Sequence, residues 1–182
     1  MMEPKGGMAM PIAVPRYTVD QIKRFPPDGL RYELLDGVLL VTPAPRQLHQ
    51  VVIAHLLVQL YQGLMATGRA IVVTPGELEI GTQTLLDPDI LVFPATFGPE
   101  ATWKQIRGWW LAVEVLSPSS RVYDRDFKRP VYLALGVETV WLVDPEAGTV
   151  EIWETGAASP KVERERIEWR GVTVELGVVL QS

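Results

Sequence analysis

The longest stretch of helical periodicity runs from Arg46 to Thr67, where Leu48, Val52, Leu56, Leu60 and Leu64 recur every fourth residue and Gly68 provides a stop. It predicts one long packing helix. Upstream, Thr18-Val19-Asp20-Gln21 has the form of a capping box and predicts a short helix to about Phe25, closed by Pro26-Pro27. Between the two, Tyr32-Glu33-Leu34-Leu35 and Val38-Leu39-Leu40-Val41 flank Asp36-Gly37, the favoured two-residue turn of a β-hairpin.

Downstream the period changes to two. Ala70 to Val73 and Glu77 to Ile80 read as strands joined at Thr74-Pro75-Gly76, and Ile90-Leu91-Val92-Phe93 as another. Trp109 to Leu116 is apolar on both faces, the pattern of a central strand. The Phe93 to Gly108 stretch, with Pro94, Gly98 and Pro99, is a surface excursion containing a short helix around Glu100 to Ile106. Tyr123 to Leu135 is helical and ends at Gly136, with Pro130 requiring a kink or a late start. Glu138 to Asp144, Thr149 to Glu154 and Val162 to Trp169 alternate as strands of an antiparallel extension. Residues 1–15, with Pro4, Gly6, Gly7, Pro11 and Pro15, have no period and read as a flexible leader, leaving 16–182 as one α/β domain.

Acids interrupt this apolar pattern at few places. Glu114 is the one carboxylate inside the Trp109 to Leu116 strand, and Asp89 stands at the entrance of the Ile90 strand. Neighbouring strands lie about 4.8 Å apart, so pairing of these two would place both carboxylates within reach of one divalent cation, which would offset their mutual repulsion. After Ser117-Pro118-Ser119-Ser120, the helix carries Asp124, Lys128 and Tyr132 at i, i+4 and i+8, roughly one face. Two strand acids and a lysine from the next helix are the candidate chemistry.

On these residues the chain resembles the PD-(D/E)xK nuclease superfamily, and within it the Uma-type family of restriction-endonuclease-like proteins. The resemblance is carried by Arg31-Tyr32-Glu33-Leu34-Leu35-Asp36-Gly37, His49-Gln50, Pro88-Asp89, Val113-Glu114-Val115-Leu116-Ser117-Pro118-Ser119, Asp124 with Lys128, and Gly136-Val137 leading to Trp141-Leu142-Val143-Asp144-Pro145, in family order. It implies a restriction-endonuclease-like mixed central β-sheet flanked by helices. It further implies metal-dependent hydrolysis of phosphodiester bonds, with nucleic acid, DNA first, as substrate. Asp89 and Glu114 would be the metal ligands, Lys128 and Glu33 further catalytic residues, and Asp124 and His49 accessory ones. The superfamily lysine belongs two residues after the strand acid, where this chain has Leu116; the resemblance shifts that role to Lys128.

Each residue also has a plainer reading. Glu33 is equally an exposed strand glutamate, His49 and His55 packing residues of the long helix, Asp144 a turn former, and Asp87 a neighbour of the same proline without the role of Asp89. Trp103 and Trp109 weigh as core more than as base-stacking rings. Arg121, Arg125, Lys128 and Arg129 within nine residues read first as a solvated helix face.

Composition narrows the chemistry. With no cysteine there is no disulfide, thiolate ligand or cysteine nucleophile, and oxygen donors with two histidines favour magnesium or manganese over zinc. A net charge of -5 argues against tight, sequence-independent coating of nucleic acid. No signal peptide is visible, and the apolar run Val51 to Ala66 is too short for a membrane span, so the expected location is the cytoplasm. The apolar strands around Trp141 and Trp153 suggest a homodimer interface. Two other classes remain: a catalytically silent binding or scaffolding module, favoured by Leu116, and a carboxylate-pair glycosidase, which would keep its activity in EDTA.

Overall fold

The computed structural model describes residues 14–180, so the leader read over residues 1–15 lies outside it except for Val14 and Pro15. The elements follow the sequence pattern closely at first. Helix α1 (Val19–Ile22) opens with the expected capping box, Thr18 accepting from the Gln21 N–H and Gln21 from the Thr18 N–H. Strands β1 (Arg31–Leu35) and β2 (Val38–Thr42) form the hairpin, and Asp36 and Gly37 both take positive φ (48° and 79°), as its turn demands. Helix α2 (Gln47–Leu60) continues into a π-helical turn over Tyr61–Met65.

The strands then divide between sheets in a way the periodicity does not reveal. β3 (Ala70–Val73), β6 (Ile90–Pro94), β7 (Leu111–Val115), β8 (Thr139–Asp144), β9 (Thr149–Glu154) and β10 (Lys161–Glu163) build a six-stranded sheet ordered β10-β9-β8-β7-β6-β3. All its pairs are antiparallel except β7 with β8. β4 (Leu78–Ile80) and β5 (Thr84–Leu86) join the hairpin in a second sheet ordered β2-β1-β5-β4. The chain crosses from one sheet to the other at Asp87-Pro88-Asp89. Val162 to Trp169, expected as one strand, is broken at Arg164-Glu165: its first part closes the large sheet as β10, and its second, β11 (Arg166–Trp169), pairs with β12 (Val172–Glu175) ahead of α5 (Leu176–Leu180). In place of the helix expected around Glu100 to Ile106 there is a 3₁₀ turn over Trp103–Gln105.

Both faces of the large sheet are buried. Ile90, Val92, Leu111, Val113, Val115, Trp141 and Val143 pack against Val52, Leu56, Leu60 and Leu64 of α2 and against the β11–β12 hairpin and α5. The alternate residues Leu91, Phe93, Ala112, Val140 and Leu142 pack against Tyr132, Val137, Leu78 and Leu86. Trp109 joins this second cluster fully buried and Trp103 partly, as the core reading of both required. Glu114 lies between Val113 and Val115 and so points to the second face.

The helix over that face begins earlier than Pro130 suggested. Residues Arg121–Tyr123 (α3) and Arg129–Ala134 (α4) are α-helical, and Asp124–Lys128 between them form a π-helical turn. In an α-helix Pro130 would owe an N–H to the Asp126 carbonyl and its ring would collide with it. The wider turn avoids this, with the Arg129 N–H donating to Asp124 O instead.

Candidate functional site

Asp89 and Glu114 are brought together by strand register. β6 and β7 pair as Ile90↔Val113, Leu91↔Ala112 and Val92↔Leu111, so one further step sets Asp89 opposite Glu114. The Val115 N–H, beyond the last paired residue of β6, donates to Asp89 Oδ2 at 2.8 Å. Glu33 arrives from the other sheet on β1, fixed there by the Asp87 N–H donating to its Oε1 at 2.9 Å. Asp124 and Lys128 come from the π-helical turn. All five side chains are buried and line one pocket of about 330 Å³, together with Arg31, Arg46, His49 and the serines 117, 119 and 120.

Lys128 is the hub. Its Nζ lies 2.8 Å from Glu33 Oε1, 3.2 Å from Glu114 Oε1 and 3.5 Å from Asp124 Oδ1. The Tyr132 hydroxyl donates to the same Glu114 oxygen at 2.5 Å. Lys128 is 2% exposed, so its reading as part of a solvated helix face is overturned. Its basic neighbours are also held: Arg121 by Asp144 and Glu146, Arg125 by Glu151, and Arg129 over the Trp153 ring with its guanidinium carbon 3.8 Å from the centroid. Asp144 keeps its turn role, accepting from the Glu146 and Ala147 N–H groups, while also carrying Arg121.

Asp89 has its own set of donors. Arg31 Nη1 is 3.1 Å from Oδ1 and His49 Nε2 is 3.0 Å from Oδ2. His49 is thus held against Asp89 as well as in the long helix. The sequence singled out neither Arg31 nor Tyr132 as a site residue. Arg31 sits two residues from Glu33 on the same strand face, and Tyr132 four residues beyond Lys128, and these spacings are the signals that could have found them.

Four buried carboxyl groups, Glu33, Asp89, Glu114 and Asp124, face Arg31 and Lys128 here. Burial pushes Glu114 well above the usual carboxylate range, with Asp124, Asp89 and Glu33 adding to the effect of desolvation against the pull of Lys128. Burial likewise raises Asp124. Asp89 moves the other way: burial alone would raise it, but His49, the Val115 N–H and Arg31 outweigh that cost. For Lys128, desolvation is outweighed by Glu114, Glu33 and Asp124, which hold it well above the ordinary lysine range. Asp87, just outside, is pushed up to about 7 by burial and by Glu33.

This donor set fits a hard divalent cation. Glu33 Oε2 is buried without a hydrogen-bond partner, and Asp89 and Glu114 supply carboxylate oxygens on one pocket wall. No group of three histidine, cysteine or acidic side chains among the described residues is disposed to hold a metal, but magnesium commonly uses one or two carboxylates and keeps several waters. No helix among the described residues is long and apolar enough to cross a membrane.

Comparison with known proteins agrees with this architecture. A family profile described as "Uma2: Putative restriction endonuclease" matches residues 19–181. The fold is similar to that of a putative nuclease belonging to DUF820 from Anabaena variabilis, with a TM-score of 0.76 and 18% identity over 91% of this chain and 98% of that one. No curated protein matches the sequence.

Proposed function

Because the chain belongs to the Uma2 family, whose profile spans residues 19–181, we propose that the buried acid–lysine pocket is the active site of a metal-dependent nuclease acting on nucleic acid, DNA first. The observation that carries this reading is the convergence of Asp89, Glu114 and Lys128 on one pocket although Lys128 comes from a different element. Asp89 and Glu114, with the Val115 carbonyl, would hold magnesium or manganese. When bound, the ion would supply Lewis-acid polarisation of the phosphate and a more acidic water.

The protein's own groups do the rest. Arg31 and His49 fix the Asp89 carboxylate, and the hydrogen bond from Tyr132 turns Glu114 Oε1 toward Lys128. Lys128 orients the attacking water or balances charge developing on the phosphate, and Glu33 positions Lys128 at 2.8 Å. Asp124 offsets the lysine charge when no substrate is present.

Manganese titration of wild type beside Asp89→Asn tests the site before any substrate is known. Binding lost in the variant, followed by magnesium-dependent cleavage that Asp89→Asn and Glu114→Gln abolish with the fold intact, is the expected result. A Glu114→Gln protein that still cuts would overturn the assignment. A silent nuclease-fold module is the second reading, favoured by the completeness of the Lys128 ion-pair network; it requires that neither protein bind metal or cleave.

A further inference from the structure

The helical residues 121–134 carry a second feature beside the site. Tyr123 and Phe127 lie next to the face that bears Asp124 and Lys128, and their rings stack with centroids 5.7 Å apart and planes at 21°. The Tyr123 ring is 5.8 Å from Lys128 Nζ. Its phenol is pushed up to about 12 by burial and then by Glu33, which places it within the field of the site acids. Phe127, in contrast, is 51% exposed. A column therefore runs from the buried lysine through Tyr123 to an aromatic ring at the surface.

The charges around this column do not suit a duplex. Affinity for double-stranded DNA comes mainly from neutralising successive phosphates with lysine and arginine. On this helix Arg121 and Arg125 are paired with acids of the neighbouring strands and turn, Arg129 lies over Trp153, and the whole chain carries a net charge of -5. Stacking needs no such charge, but it needs a base whose face is not already covered by its neighbours in a helix.

We propose that Phe127, backed by Tyr123, is a stacking platform for a nucleobase of the substrate strand, and that the substrate class is nucleic acid with an unpaired strand at the site. This rests on the nuclease reading and adds the form of the substrate to it. Phe127 acts as a specificity residue and takes no part in the bond-breaking step.

The test is binding of a short single-stranded oligonucleotide carrying 2-aminopurine, and of the same sequence as duplex, with calcium replacing magnesium to hold back cleavage. Wild type should quench the 2-aminopurine, prefer the single strand and show a shallow salt dependence. Phe127→Ala should weaken single-strand binding roughly 5- to 150-fold and remove the quench, and Phe127→Trp should retain both. Equal binding and quenching by wild type and Phe127→Ala, or a preference for duplex, would overturn the proposal. So would a wild-type dimer that Phe127→Ala converts to monomer, because the ring would then belong to an interface between copies. If Phe127→Ala changes nothing while magnesium-dependent cleavage still requires Asp89, this inference fails and the nuclease reading stands. If wild type neither binds nor cleaves any nucleic acid, both fail.

Discussion

Lys128 Nζ lies 3.2 Å from Glu114 Oε1, reaching the strand acid from the following helix, while Leu116, two residues beyond the acid on the chain, is 4% exposed in the apolar core. On the proposed nuclease reading, Lys128 takes the place of the lysine that the resemblance expects at Leu116. Breaking this arrangement should be costly. Lys128→Met would leave Glu33, Glu114 and Asp124 buried without their cation and should destabilise the fold by about 3–5 kcal/mol. Urea denaturation measures it, and adding Glu114→Gln should recover part of the loss. A single variant as stable as wild type would show that the three acids do not depend on the lysine.

His49 should matter wherever Asp89 is ionised and lose its effect in strong acid. Asp89 has a depressed folded pKa, so its contribution to stability is fully present above its ordinary value of 3.8 and is lost as pH falls through the lower folded one. His49→Ala removes the partner 3.0 Å from Oδ2 and brings the folded pKa back toward the ordinary value. The acid-unfolding midpoint of metal-free protein should move to higher pH, with a loss of about 1.5–3 kcal/mol at neutral pH. An unmoved midpoint would mean that Arg31 and the Val115 N–H suffice.

Asp87 works in the opposite direction. Its folded pKa is raised to about 7 from 3.8, so the native state holds its proton longer than the unfolded chain and stability declines as pH rises between those values. Asp87→Asn should stabilise the protein at pH near 8, leave it almost unchanged near pH 4, and flatten the profile between. Parallel profiles for the two proteins would refute this.

Gly63 lies in the π-helical turn after α2, where a Cβ would stand 2.6 Å from both methyls of Val172. Alanine gains about 1 kcal/mol in helix propensity, but overpacking typically costs about 1–3 kcal/mol, and a clash with a buried branched side chain belongs at the upper end. Gly63→Ala should therefore lose about 1–2 kcal/mol in thermal unfolding. Val172→Ala in the same protein should give back part of it by making room.

Much of this fold was legible because apolar period and turn chemistry act locally. Asp36-Gly37 announced its hairpin, the Leu48 to Leu64 repeat its helix, and Glu114 stood out because nothing else in its strand is polar. What stayed hidden depends on partners. Period two reports that a strand is buried and not which sheet buries it, so nothing local separates β5 from β6 across Pro88, or β10 from β11 at Arg164-Glu165. Arg31 and His49 meet Asp89 from 58 and 40 positions away in the chain (89 − 31 and 89 − 49), a convergence that only the tertiary structure creates. The solvated-face reading of the basic cluster at residues 121–129 fails for the same reason, since its acids lie on β9, at and just beyond the end of β8, and on the neighbouring strands of the site.

The π-helical turn at Asp124–Lys128 has a bearing on how this pocket can change over time. The wide turn spends one more residue than an α turn does, so deleting one would restore ordinary winding while leaving the two flanks in nearly the same relative direction. Pro130 would then stand against the carbonyl four residues before it, the clash that the wide turn avoids. The arrangement is written in the number of residues as much as in their identities. Apart from Phe127, substitutions along the exposed side of this helix are open to drift, whereas losing a residue from the turn would press Pro130 into the helix backbone.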